Sequence, residues 1–390
     1  MTRTRSHDGI LRVAPGHYRV FVELPKTAEG NRRRESHTVR GSLEEAKAKR
    51  AELIADRTRG EYVGRSDQRL ADYLESWLTW KRSRVSGRTW TRYASLLRSS
   101  VIPALGHLRL QDLTSQHLDE FYSTSLSTES GQRKESKLSP TTVHHRHVAI
   151  KMALKRAVEL GTLVRNPADF TQPPRADRPQ MSVLNETQVA ALLDGLVGTQ
   201  AELVGTLAMM TGARLGELLA LRWCDLDLVG QVMYIRQSLV ENVDGRGAKT
   251  WYSFKEPKSG KGRTVDLDEG TVSMLKLHRK LQNEERLRLG PAWASLDLLI
   301  TNGWGEPVRP STASTHFRTV ARSLGFERLR FHDCRHTHAT ILLKNGVPPH
   351  VVSQRLGHAS VAFTLQVYSW VLPGQQRAAA DGFAAAIRAQ

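Results

Sequence analysis

Five side chains in the carboxy-terminal half of this 390-residue chain are of the types needed to break a phosphodiester without a metal. Arg214 stands in Thr211-Gly-Ala-Arg-Leu-Gly-Glu217, and His332 and Arg335 in His332-Asp-Cys-Arg335. His358 closes Leu356-Gly-His358, and Tyr368 follows ten residues later. Arginine carries a planar, permanently charged fork matched to phosphate oxygens. Histidine moves or orients protons near neutrality. A tyrosine oxygen can attack phosphorus once a base takes its proton, since its ordinary pKa is about 10.

Local elements must aim these groups. Thr211 reads as a helix cap that puts Arg214 in the first turn, where unpaired N–H groups and a partial positive charge favour phosphate. Glu217 falls on the same face and can hold the guanidinium. The plainer alternative is an i,i+3 surface ion pair, worth ~0.5 kcal/mol or less. Phe331 opens a helix that runs through Leu343 to Asn345-Gly346, with His332 and Arg335 on one face. A rival reading takes His332 and His336, with Cys334 or His338, as zinc ligands. It lacks the glutamate base of the protease pattern, and residues two apart on a helix face different ways. His358 ends a helix begun at Pro348-Pro349, and Val361–Tyr368 forms a short helix. Val232–Arg236 reads as a strand, and Lys255–Leu267 as a strand end, a Gly-rich turn and another strand. Lys255, Lys258 and Lys261 sit there as flexible amines able to protonate a leaving oxygen.

Upstream, His17-Tyr-Arg-Val-Phe-Val-Glu-Leu24 alternates at the period of a strand, and Ser36–Arg40 is a second candidate. Arg32, Arg33 and Arg34 lie in the loop between them. Ser42 and Glu45 have capping-box spacing, opening a helix that Gly60 stops. Residues 1–63 therefore read as a small sheet packed on one helix. Residues 64–172 read as all helix. Leu70, Tyr73, Leu74 and Trp77 make one apolar stripe, and Trp90, Tyr93, Leu96 and Leu97 a second that Pro103 and Gly106 end. The longest helix starts with Ser139 as cap and Pro140 first, and closes at Gly161. A Ser/Thr/Lys/Arg-rich loop is expected over 123–138. Prolines and polar residues make 173–182 an extended linker, after which Asn185 and Gln188 box the next helix. The alanine-rich 378–388 reads as a tail helix.

The net charge of +18 and pI near 10.2 favour a polyanionic partner, nucleic acid first. No single tail explains it: residues 1–63 carry a net +5 and 64–177 a net +7. Arg84, Arg88 and Arg92, with Lys81, Arg82 and Arg98, read either as a solvated helix face or as phosphate contacts. The only cysteines, Cys224 and Cys334, argue against a disulfide framework and suit a reducing cytoplasm. No signal peptide and no membrane span are expected, since no apolar run is long enough.

The order and spacing of Arg214, His332-x-x-Arg335, Leu-Gly-His358 and Tyr368 resemble the tyrosine recombinase (phage integrase) family, over most of the chain. The resemblance implies a multidomain protein. It would have a small α+β N-terminal module like an arm-type DNA-binding domain (1–63), an all-α core-binding domain (64–172) and a linker (173–182). A mainly α catalytic domain with a small antiparallel β-sheet (183–390) would follow. It implies that Tyr368 is the nucleophile, forming a covalent 3′-phosphotyrosine, and that Arg214, Arg335 and His358 stabilise the phosphorane. Glu217 would support Arg214, His332 would be the base, and Lys258 would match the family's hairpin lysine. Neither cofactor nor metal is implied. The implied partners are double-stranded attachment sites bound by a homotetramer on two duplexes, with the tail after Trp370 docked on a neighbour. An accessory directionality or DNA-bending factor, and the cytoplasm of a bacterial host, fit the same picture. Three alternatives stand beside it: a regulator that binds DNA without cutting it, a type IB topoisomerase-like enzyme, and a metal-dependent nuclease that EDTA would inactivate.

Overall fold

Alternation in the first strands builds a small sheet. In the computed structural model, which describes residues 9–24, 33–58, 63–127, 138–175, 181–242, 251–257, 262–368 and 375–388, β1 (Ile10–Ala14), β2 (His17–Leu24) and β3 (Arg33–Arg40) are antiparallel in that order. Ile10 pairs with Val20, and these two with Val22 form the face that buries Ala46 and Leu53 of α1 (Leu43–Thr58). The capping box forms: Glu45 N–H donates to Ser42 Oγ, and Ser42 N–H to Glu45 Oε2. The sequence signalled β2 but not β1, an edge strand with one buried side chain, and β3 begins three residues before the expected Ser36.

Helices follow. The first stripe becomes α2 (Leu70–Arg82), with Leu70, Tyr73, Leu74, Trp77 and Leu78 buried. α3 (Gly87–Leu96), capped by Ser86, opens a helical stretch that passes Pro103 and ends at Gly106, as expected. It widens into a π turn over Leu97–Val101 and continues as α4 (Ile102–Leu105). A wider turn absorbs the proline's missing N–H and its clash with the preceding turn. α5 (Ser115–Ser127) runs into the segment expected as loop, because Phe121, Tyr122 and Ser125 pack inward; 128–137 lie outside the described residues. α6 (Pro140–Glu159) is capped by Ser139, and its Val143, Ile150 and Leu154 complete this core. Tyr73 Oη donates to the Ala153 carbonyl at 2.7 Å, tying α2 to α6.

The chain divides into two compact units, Met1–Arg178 and Pro179–Gln390. The second opens with α7 (Glu186–Leu196), boxed by Asn185 and Gln188, then α8 (Glu202–Thr211) and the single turn α9 (Leu215–Leu218). β4 (Leu226–Asp227), β5 (Val232–Ile235), β6 (Ser238–Glu241), β7 (Tyr252–Lys255) and β8 (Arg263–Asp266) form two small sheets, β4-β5-β8 and β6-β7. β8 pairs with β5 and β7 with β6, so among the described residues β7 and β8 are not hydrogen-bonded neighbours. α10 (Glu269–Leu289), α11 (Pro310–Ser323), α12 (Phe331–Lys344), α13 (Pro349–Leu356), α14 (Val361–Tyr368) and the tail helix α15 (Gln375–Arg388) complete it. Leu207, Met233, Val265, Phe317, Phe331 and Cys334 share one core, joining α8, the sheet, α11 and α12. Ala339, Leu343, Val352, Leu356 and Tyr368 form a smaller cluster that seats α13 and α14 on α12.

Candidate active site

Arg214 is held by a turn. Thr211 is the last residue of α8, not the cap of the next helix, and Gly212 reverses the chain at φ +65°. Arg214 itself occupies the N-cap of α9. Its N–H donates to Glu217 Oε2 at 2.9 Å, its Nη1 to Glu217 Oε1 at 2.8 Å, and its Nη2 to the Gly357 carbonyl at 3.3 Å. Glu217 is not at the surface: it is 2% exposed and shared with Arg263, whose Nη2 and Nη1 donate at 2.6 and 3.1 Å. Arg263 Nε also donates to the Arg355 carbonyl at 2.9 Å, so one guanidinium links β8, α9 and α13. Burial on its own would raise the Glu217 carboxyl; the bonds and charges of Arg263 and Arg214 outweigh it and hold the pKa at about 2.

Arg335 is 3% exposed on α12. Its Nη1 donates to the Gly212 carbonyl at 2.9 Å, while the buried Nη2 has no hydrogen-bond partner. Burial, then the charges of Arg214 and Arg263, lower its pKa to about 9. An orphaned buried donor is costly, and an anion is the natural relief. Three guanidiniums face one carboxylate here, leaving the cluster about two charges positive.

His358 follows the left-handed Gly357, and its Nδ1 lies 2.7 Å from Thr364 Oγ1. Burial, then Arg335, Arg214 and Arg263, lower its pKa to about 3. His332 keeps an exposed edge, yet burial on its inner side, His336 and Arg335 lower it to about 4. Both are neutral at pH 7. Tyr368, 1% exposed, stands between two imidazoles: its ring stacks on His358 at 6.5 Å, and its Oη is 2.9 Å from His336 Nδ1. Burial pushes its pKa up to about 12 against the opposing charge of Arg335.

Arg214, Glu217, His332, Arg335, His358 and Tyr368 thus fall in one unit and influence one another's charge. Lys258 and Lys261 lie outside the described residues; Lys255 ends β7, paired with Ser238. Arg32 and the Arg33 side chain are likewise outside them, while Arg34 lies 3.6 Å from Glu23 and over Phe21. Arg84 stacks on Trp80, Arg88 is exposed, and Arg92 Nη2 is 2.7 Å from His145 Nδ1. Spacing in the sequence does not single out Arg263, and it offers His336 only as a possible metal ligand. Arg263 is two residues from buried Val265 on β8, so strand alternation turns it inward. His336 was seen only as the i,i+4 mate of His332, whose ring meets it edge-on at 5.1 Å. Among the described residues no group of three or more His, Cys, Asp or Glu could hold a metal ion.

A mainly helical unit built around two small sheets has known counterparts in sequence and fold. Residues 182–373 match the phage integrase family, and residues 69–126 match the phage integrase N-terminal SAM-like domain. A XerC-like tyrosine recombinase of Caldanaerobacter subterraneus is 26% identical over 381 residues, covering 94% of this chain and 95% of its own. An integrase of Streptomyces ambofaciens is 27% identical over 83% of this chain and 82% of its own. The Tn1549 transposon integrase, solved with circular-intermediate DNA, superposes with a TM-score of 0.65 at 19% identity over 80% of this chain and 99% of that one. A lambda integrase dimer on a core site gives 0.55 at 16% identity over 94% and 96%. The chain belongs to the phage integrase family of tyrosine recombinases.

Proposed function

We propose that the site cuts and rejoins DNA through Tyr368. The protein is a site-specific DNA recombinase of the kind that integrates a phage or mobile element. The observation that carries the mechanism is the buried Arg335, with one arm fixed on Gly212 and the other unpaired. A phosphodiester brings one negative charge, and its phosphorane carries two. A cluster already about two charges positive therefore favours the transition state over the bound ground state. Arg214 and Arg335 hold the nonbridging oxygens, with His332 beside Arg335 and His358 as a neutral donor. Tyr368 attacks, a 3′-phosphotyrosine forms, and the 5′-hydroxyl leaves, protonated by Lys258. A 5′-hydroxyl of the partner duplex later displaces the tyrosine, so the phosphodiester energy is kept and no nucleotide is consumed.

The layout follows the same reading: 1–63 binds arm-type sites, 64–172 clamps the core site, and 183–390 performs the chemistry. Four protomers would act on two duplexes, with an accessory bending factor where the attachment site demands it, in the cytoplasm of a bacterial host. Lambda integrase has been solved as a tetramer on a Holliday junction. Arg84, Arg88 and Arg92 are proposed to contact phosphate from α3 and the turn before it.

The test uses wild type, Tyr368→Phe and Arg335→Ala with labelled DNA flanking the gene, in EDTA. Wild type should give an SDS-resistant adduct and Tyr368→Phe none. Arg335→Ala should lose at least ~10²–10³ in rate while binding survives. Near-normal cleavage by Arg335→Ala overturns the assignment, and relaxation of supercoils regardless of site would favour the topoisomerase alternative.

A further inference from the structure

We infer that His336, rather than His332, takes the phenol proton of Tyr368 when the tyrosine attacks. The inference rests on the strand-cleavage reading above and assigns its one missing atom-to-atom contact. His336 Nδ1 lies 2.9 Å from Tyr368 Oη, within the distance a general base needs. His332 sits one helical turn back on α12, edge-on to His336 at 5.1 Å, and makes no hydrogen bond to Tyr368 among the described residues. The other imidazole beside the phenol, His358, has its Nδ1 engaged by buried Thr364. His336 thus holds the ring nitrogen that meets the reacting oxygen.

The contact has the right polarity. Tyr368 is buried and deprived of water, so its hydroxyl needs an acceptor, and Nδ1 accepts when the imidazole proton sits on Nε2. Burial lowers the His336 pKa, Arg335 and Arg330 lower it further, and Asp333 opposes them. Among the described residues Tyr368 and His332 touch it, and His358 interacts with it through charge. The ring is therefore neutral, with a free lone pair, at pH 7. A base weaker than phenolate suits transfer during attack, when O–P bond formation drains the phenol oxygen.

The step balances. The Tyr368 O–H bond breaks and its proton passes to His336 Nδ1. The freed electron pair forms the O–P bond, and the P–O5′ bond breaks with its pair on the 5′ oxygen. That oxygen takes a proton from a separate acid, the role given above to Lys258. On rejoining, the incoming 5′-hydroxyl returns a proton to that acid, and the departing phenolate recovers its own from His336.

The experiment measures the rate of adduct formation between pH 6 and 9.5 on DNA that wild type cleaves, for wild type, His336→Asn and His332→Asn. Asparagine places an oxygen near the Nδ1 position, so it accepts the hydrogen bond but cannot take the proton. His336→Asn should be slower by ~10²–10³ at pH 7.5 and gain about tenfold per pH unit as the phenol ionises unaided. Wild type and His332→Asn should instead level off above neutrality. DNA binding should be unchanged throughout, and His336→Gln serves the same purpose if the asparagine variant melts early. A His336→Asn rate within threefold of wild type overturns the inference, as does the alkaline climb appearing in His332→Asn. A faster His336→Asn would make the contact a restraint on the tyrosine and overturn it too. Failure of wild type to form any adduct on DNA it binds specifically would instead reject the strand-cleavage reading beneath it.

Discussion

At the scale of single residues, Glu217 is the shared partner on which two arginines depend. Arg214 takes it from one side at 2.8 Å and Arg263 from the other at 2.6 and 3.1 Å. Removing Arg263 leaves a carboxylate in a dry place with one partner, and burial then drives its pKa up. Proton uptake by Glu217 would loosen Arg214 in turn. Arg263→Met should therefore cost about 3 kcal/mol of stability, the lower range for breaking a buried ion pair, because Arg214 keeps its two bonds to Glu217. It should also add to the cleavage profile an acid limb from Glu217, beside the one that protonation of His336 gives wild type, with Arg263→Lys recovering part of both. A cleavage profile of unchanged shape in Arg263→Met would show that Arg263 only packs. Arg214, Arg335, His358 and Tyr368 were legible because their types and spacing are set by chemistry. Arg263 and His336 were not, since their partners lie 46 and 32 residues away in sequence and only folding brings them close.

At the scale of elements, the arginines are aimed by two left-handed glycines rather than by regular structure. Gly212 ends α8 at φ +65° and offers its carbonyl to Arg335; Gly357 ends α13 at φ +67° and offers its own to Arg214. Neither tolerates a side chain. A Cβ on Gly212 would lie 2.6 Å from Leu356 Cδ2 and 2.8 Å from His338 Cδ2, and one on Gly357 would lie 2.8 Å from Arg263 Nη1. Gly212→Ala should cost at least ~1–2 kcal/mol from the backbone conformation alone, with crowding on top. Cleavage should fall more than stability accounts for, since Arg335 loses its fixed arm. Denaturant melts and single-turnover cleavage check this; a variant as stable and as fast as wild type would show that the turn is not what aims Arg335. Helical periodicity and capping residues disclosed α2, α6, α7, α12 and α14 beforehand. The ladders were less readable: four-residue strands carry little pattern, and nothing local says that β8 pairs with β5 while β7 pairs with β6.

For the whole molecule, charge pointed to a nucleic-acid partner and helical periodicity to a largely helical chain, while the electrostatic cost stored in its second unit shows only in the fold. His338 is the clearest case. Its Nδ1 donates to the Met209 carbonyl at 2.9 Å and its Nε2 accepts from Arg355 Nε at 3.0 Å, an arrangement that only the neutral ring can make. Burial, then Arg355, lowers its pKa to about 4, and His332 and His358 are lowered to about 4 and 3. Each is depressed below the ordinary 6.5, so between pH 6.5 and 4 the unfolded chain binds protons that the folded chain refuses. Stability is thus complete above 6.5 and drains away as pH falls through that window, with no counterpart on the alkaline side from these groups. Thermal melts of the protein without DNA should show the midpoint falling between pH 7.5 and 5. His338→Gln keeps an acceptor for Arg355 but cannot be protonated, so it should start lower at pH 7.5 and fall less. Equal losses in the two proteins would mean that His338 is not among the groups resisting protonation. Bound DNA should shrink the loss further, because a phosphate beside His332 and His358 favours their charged forms and so reverses their share of the penalty.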